Sequence, residues 1–415
     1  MDFLKQLART RIVRRVKAGA SRLALWALRT FRPVCRIGDK VLVTRHADVR
    51  QVLSLSAAYS VRRYGSRMRE TGPDFFLGHD AGRQRQDERD AALGAIQSLG
   101  TLRPRDIAAH ETQAVIQQRA KGVGSPRPPG RQPCYLDVVE DLADRVPVRI
   151  AEDYFGLRNP SGRTLLEWIQ LTSWYIFNPF ASGEDRERAI RAGEQMKEHV
   201  RRLVQSGRAH PPRGTVLAEL LATPLSDEAV ARTLTGMVAG SLGPPPRFFA
   251  KAVNRLLGLR GRTRRRLAEA ARDRDFAGVE TYLLEAARFD PDPSLLYRAC
   301  ERVGTTLAGH PIATGDTVVC FVQSALRDGR SIAAPWRFRL GRPAAELMLF
   351  GHGLHECIGR GVGMATLTGM AQPLFALPGL RRAPGRAGSL RDGPLGEFPA
   401  QNYPQHLGVL FARPA

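Results

Sequence analysis

A single cysteine set among glycines constrains this chain more than any other feature. Near the C-terminus runs Phe350-Gly-His-Gly-Leu-His-Glu-Cys-Ile-Gly359, which leads into an apolar, helix-forming stretch. Glycines at 351, 353 and 359 permit backbone conformations and close approaches that a side chain would block. The N-terminus of the following helix offers free N–H groups and a positive dipole end, which favour S⁻ over SH at Cys357. Cys357 is therefore a candidate thiolate ligand to a metal. Zinc would want further Cys or His ligands at short spacing, and the chain has no C-x-x-C pair. A haem iron needs only one strong axial protein ligand, and a Cys thiolate can serve. The competing reading is a buried structural cysteine in a glycine-rich turn.

The stretch resembles the haem-binding signature of the cytochrome P-450 haem-thiolate family, F-G-x-G-x-H-x-C-x-G, and matches all its fixed positions. The resemblance implies a mainly α protein with small β-sheets (α+β). Haem b, iron protoporphyrin IX, would lie between a long central helix and the proximal cysteine loop and helix. Cys357 would be the axial ligand, with Phe350 and Gly351 in the same signature. Backbone N–H groups near Ile358 and Gly359 would tune the sulfur. His355, Arg298 and Arg89 would anchor the propionates.

Other segments match the family in order. Arg85-x-x-x-Arg89 occupies the place of an H-x-x-x-R that contacts a propionate, with arginine in place of histidine. A guanidinium suits a carboxylate, giving bidentate charge-assisted hydrogen bonds; a solvated charged helix face is the alternative. Glu285 and Arg288, three residues apart, share a helical face and can pair. In the family this E-x-x-R is structural, and Arg342 matches its third member. Ile312–Cys320 looks like a hairpin turning at Gly315, and Ser324-Ala-Leu-Arg-Asp328 resembles the family's A-N-R-D segment. Ile358–Leu377 reads as the proximal helix and Phe398–Phe411 as a closing β-pair. The resemblance runs from about residue 35 to the end, which suggests a single haem domain over 34–415.

One segment departs from the pattern. Ser226 opens a helix with a capping signal, and it continues through Ala239-Gly240-Ser241. The family pattern is A-G-x-(D/E)-T, where the glycine makes room for dioxygen and the acid–alcohol pair relays protons. Gly240 and Ser241 are the catalytic candidates here, but Leu242 and Gly243 stand where the acid and threonine belong. Pro244, Pro245 and Pro246 follow and should kink or break the helix.

Elsewhere, Val41–Leu53 reads as a strand turning into a helix. Gly122–Pro133, rich in Gly and Pro, reads as a loop. Leu136–Leu157 carries helical periodicity with Gly156 as C-cap. Leu165–Phe180 is the most aromatic stretch, and aromatic side chains at that spacing more often make core than pocket. Gly183–Arg208 is a charged helix stopped before Pro211-Pro212.

Charge bears on partners. The 63 Lys and Arg against 40 Asp and Glu give a net charge of +23. Arginine-biased composition on a solvated surface, an anionic membrane, or an acidic redox partner would each account for it. No nucleic-acid-binding module is present, so nucleic acid is not an expected partner. Residues 1–33 alternate basic and apolar residues at helical spacing. The apolar run Leu23–Leu28 is too short to span a bilayer, and no signal-peptide cleavage pattern follows it. Peripheral membrane contact through this segment and packing on the domain stay open. The five scattered cysteines point to a reducing, cytoplasmic compartment.

The resemblance implies that a thiolate-ligated haem supplies the oxidising chemistry, while the fold supplies position and exclusion of water. Three outcomes stand. The first is monooxygenation of a small hydrophobic substrate, with electrons from a ferredoxin-type partner. The second is use of a peroxide or lipid hydroperoxide, which the loss of the acid–threonine pair favours. The third is non-catalytic haem binding.

Overall fold

The computed structural model describes residues 22–414 apart from 73, 124–132, 162–163, 344–345 and 396–397. Residues 1–21 and most of the Gly122–Pro133 segment therefore lie outside the described residues. The chain forms two compact units, each threaded more than once. One contains Met1–Ser60, Pro293–Phe338 and Pro343–His355. The other contains Val61–Asp292, Arg339–Arg342 and Glu356–Ala415.

The first unit is built on a five-stranded sheet. Its order is Val34–Ile37, Lys40–Val43, Thr317–Cys320, Leu296–Cys300, Tyr59–Ser60. The outer pairs are antiparallel, and Lys40–Val43 runs parallel to Thr317–Cys320. β-branched residues fill the sheet's buried face, which suits a pleated surface covered on one side. Val41, Val43 and Val318 pack there with Val49, Val52 and Leu53 of the helix His46–Ser54. The strand-to-helix reading of Val41–Leu53 is what forms.

The expected hairpin over Ile312–Cys320 is different. Thr317–Cys320 pairs with Leu296–Cys300 instead, and a small Thr306–Leu307/His310–Pro311 hairpin lies between them. Gly315 does turn the chain, at φ +91°, and its N–H donates to the Cys300 carbonyl at 2.8 Å.

The N-terminal helix, residues 22–31, belongs to this unit. Arg29 ties it down, donating to the Ser324 carbonyl at 3.1 Å and the Ser324 hydroxyl at 2.8 Å. Leu23, Trp26 and Phe31 of the same helix stay exposed.

The second unit is a helical array. Thr164–Phe177 packs on the long Gly183–Ala209 helix, and Leu102–Ala120 packs on Arg360–Phe375. Gly369 allows that second approach, because a Cβ there would run into the Arg105 carbonyl. Leu136–Leu157 is not one helix. It starts as the strand Cys134–Asp137, winds into a π-helix over Val138–Ala143, and becomes α-helical over Arg145–Asp153. The apolar run served a strand that pairs with Gly408–Phe411. That pairing also separates the two expected closing strands. Phe398–His406 pairs with Arg391–Leu395, and Gly408–Phe411 joins another sheet.

Ser226 caps the helix Asp227–Leu242, accepting from the Ala229 N–H at 3.3 Å. The proline run breaks this helix. A new one, Pro244–Leu256, begins immediately after Gly243, with proline in its first turn. Proline is tolerated there because the first N–H groups of a helix have no intrahelical partner.

Candidate active site

Cys357 sits in the second unit at the mouth of the proximal helix Arg360–Phe375. The N–H groups of Gly359 and Arg360 lie close enough to its sulfur to favour the thiolate. Burial pushes the thiol above its ordinary value. The Gly359 N–H pulls it down, the Glu356 carboxylate pushes it up, and the Arg360 N–H pulls it down again. Without a cation at the sulfur, burial wins and the thiol is neutral; a bound metal ion would reverse that balance.

The helix Asp227–Leu242, in the same unit, has an open position. From Thr233 to Val238 it is buried on successive residues, yet Ala239 is half-buried and Gly240 is exposed. A Cβ built on Gly240 meets no atom within 4 Å. Gly240 thus leaves an open position near the C-terminal end of this helix, after six successive buried residues. No charged residue lies between Arg232 and Arg247, so the helix there is lined by neutral groups. Ser241 directs its hydroxyl back to the Val238 carbonyl at 3.0 Å, the back-bonding common for serine inside helices. A lone thiol with two N–H donors, and an open glycine on an uncharged helix, suit one axial thiolate with a flat apolar macrocycle. Among the described residues, no three His, Cys, Asp or Glu side chains group as a protein-only metal site would need.

The arginines of the Arg83–Leu99 helix differ in burial. Arg85 is buried, and desolvation, with the like charge of Arg89, lowers its pKa. Arg89, one turn on, is half-buried and lies 3.8 Å from Asp90. The neighbouring Glu88 is held by Arg232 at 2.6 Å.

In the first unit, Arg298 is buried on the strand Leu296–Cys300 and donates to the Tyr297 carbonyl at 2.8 Å. Phe350, Gly351 and His355 lie in the turn that precedes the cysteine, where Gly351 takes φ +78° and Gly353 φ +74°. A Cβ at Gly353 would come within 2.7 Å of the Leu53 carbonyl, so this loop needs glycine for space as well as for conformation.

The E-x-x-R motif forms a closed network. Arg288 grips Glu285 through Nε at 2.9 Å and Nη2 at 2.8 Å, and Arg342 adds Nε at 3.0 Å. The Arg339 N–H donates to the same carboxylate at 2.9 Å. The side chains of Glu285, Arg288 and Arg342 are 2%, 0% and 5% exposed, which makes this a fully desolvated structural site.

Sequence reasoning missed a second buried network. Gln170 donates to the carbonyls of Leu242 and Gly243, and its Oε1 accepts from Arg247, which in turn donates to Asp292. A run of prolines inside a helix was the available signal, since each proline strands a carbonyl.

No family model matches the sequence. Comparison with solved structures defines the class. CalO2 superposes with a TM-score of 0.77 over 98% of both chains at 22% identity. A mutant of EryK in complex with erythromycin B gives 0.75 over 96% of this chain and 97% of its own, at 21%. The fold is therefore that of the cytochromes P-450. Pentalenolactone synthase of Streptomyces exfoliatus is 26% identical over 375 residues, 86% of this chain and 88% of its own. Pulcherriminic acid synthase of Bacillus subtilis is 22% identical over 344 residues, 77% and 78% respectively. A bifunctional dioxygenase–epoxy alcohol synthase of Pyricularia oryzae is 22% identical over 413 residues, 86% of this chain but 34% of its own length. In sequence the chain is similar to curated cytochromes P-450, among them PikC of Streptomyces venezuelae, 29% identical over 234 residues, 54% of this chain and 51% of its own. No helix among the described residues is long and apolar enough to cross a membrane.

Proposed function

We propose that Cys357 is the axial ligand of haem b and that the chain oxidises a small hydrophobic substrate beside Gly240. The observation that carries this reading is the place of Cys357 beside the free N–H groups at the N-terminal end of the helix Arg360–Phe375. Such donors stabilise a thiolate and set its donor strength. Bound haem would supply the oxidising chemistry. Arg85, Arg89, Arg298 and His355 would hold its propionates, with Phe350, Gly351, Ile358 and Gly359 shaping the cysteine loop. The uncharged stretch from Thr233 to Pro246 favours an apolar guest. A ferredoxin-type partner would deliver electrons to the proximal side.

The oxidant divides two readings, and one observation favours the second. Leu242 and Gly243 carry no proton donor, and the Ser241 hydroxyl is committed to Val238. Proton delivery needs a donor within hydrogen-bond reach, directly or through one water. A peroxide or lipid hydroperoxide brings its O–O bond ready-made and needs less of such a relay. The epoxy alcohol synthase relative is in keeping with that. Product per haem measured with added hydroperoxide, against dioxygen with NAD(P)H and surrogate redox proteins, separates the two. Higher yield from hydroperoxide supports the second reading, and tightly coupled NAD(P)H turnover supports ordinary monooxygenation.

A further inference from the structure

The prolines at 244, 245 and 246 delete the N–H groups that would close the helix onto the carbonyls of Gly240, Ser241 and Leu242. A buried carbonyl without a donor costs about 1–3 kcal/mol, so a break beside the site needs outside support. Gln170, fully buried on the Thr164–Phe177 helix, provides it. Its Nε2 donates to the Leu242 carbonyl at 2.7 Å and to the Gly243 carbonyl at 2.8 Å. Both amide hydrogens are thereby used. Its Oε1 accepts from Arg247 Nη1 at 3.0 Å. Because arginine cannot accept, only this orientation of the amide satisfies all three partners.

Arg247 is itself held by a fork on Asp292, at 3.0 and 2.9 Å. Lys251 donates to the same carboxylate at 3.1 Å. The chain of contacts thus runs from the broken helix end to a buried ion pair.

We propose that Gln170, oriented by Arg247 and Asp292, is a positioning residue for the distal side of the haem. It takes the place of the missing helix hydrogen bond at Leu242, holds the adjoining Gly243 carbonyl, and so fixes how Gly240 and Ser241 face the bound group. This rests on the haem-thiolate reading above. The arrangement explains how a sequence with three prolines at this place keeps a defined helix end.

Imidazole, which binds haem iron on the face opposite the thiolate, is the probe. Gln170→Met keeps the side chain's length and removes every hydrogen bond, and Asp292→Asn loosens the Arg247 fork from the far end. In each holoprotein we expect an unchanged ferrous–CO Soret position, an imidazole dissociation constant shifted at least about fivefold, and an altered ferric spin-state ratio. If Gln170→Met does not load haem, Asp292→Asn carries the test. Imidazole affinity within twofold of wild type and an unchanged spin state in the loaded variants, with only a lower melting temperature, would reduce the network to a structural brace. A wild-type protein without the thiolate-type CO band would instead overturn the Cys357 reading and leave the hydrogen-bond geometry standing.

Discussion

Gly240 is the residue whose side chain matters by being absent. Residues 233–238 before it are buried, whereas a Cβ built on Gly240 meets no atom within 4 Å. Gly240→Phe should fill that space. Haem loading should persist, while imidazole or CO affinity should fall roughly tenfold or more, equivalent to about 1.4 kcal/mol. Spectral titration measures it, and unaltered affinity would show that the space lies away from the bound group. Ser241→Ala should change little, because the hydroxyl only returns to the Val238 carbonyl of its own helix. A Ser241→Ala variant that lost coupled NAD(P)H turnover would show a proton route through this hydroxyl. The sulfur of Cys357 was legible from its flanking glycines. Which N–H groups reach that sulfur depends on the turn the loop adopts, which the sequence does not specify.

At the scale of elements, the Glu285–Arg288–Arg342 network fastens the Phe276–Phe289 helix to the 339–342 segment. Removing one partner of a buried pair costs about 3–5 kcal/mol, because the remaining charges stay desolvated. Glu285→Ala should therefore yield little folded, haem-loaded protein. A stable, haem-replete variant that merely turned over slowly would contradict a structural role.

The Asp292 network carries a pH signature. Burial alone would raise this carboxyl, but Arg247 and Lys251 outweigh burial and hold it below the ordinary carboxylate range. A depressed folded-state pKa gives stabilisation that is present above the unfolded-state value and lost as pH falls through the folded one. Melting temperature should fall on acidification below about pH 4, and Asp292→Asn should flatten that fall; an identical acid profile in the variant would contradict it. The helices around the site were readable from capping and periodicity, as Ser226 and Gly183 show. Strand partners were not. The residues of Phe398–Phe411 say that they are extended, but which distant strand each one joins is set by tertiary packing. Gln170 was unreadable for the same reason, lying 72 residues from the carbonyl that it serves.

For the molecule as a whole, fold and cofactor class were legible because a handful of residues carry geometric demands that few alternatives meet. Ten consecutive residues around Cys357, the E-x-x-R pair and their order along the chain sufficed. The excess of positive charge was not assignable from composition, and the N-terminal helix illustrates why. Arg29 of that helix is spent on an internal contact with Ser324, while Leu23, Trp26 and Phe31 remain outside. The departure at Leu242–Pro246 makes hydroperoxide-supported turnover the expected stronger activity. Equal or better product yield from dioxygen with redox partners would reverse that expectation. The account stands most directly on Cys357. Reduced protein under CO should show the red-shifted Soret band of thiolate ligation, and Cys357→Ser should abolish it. A Cys357→Ser protein that kept the band would contradict the claim.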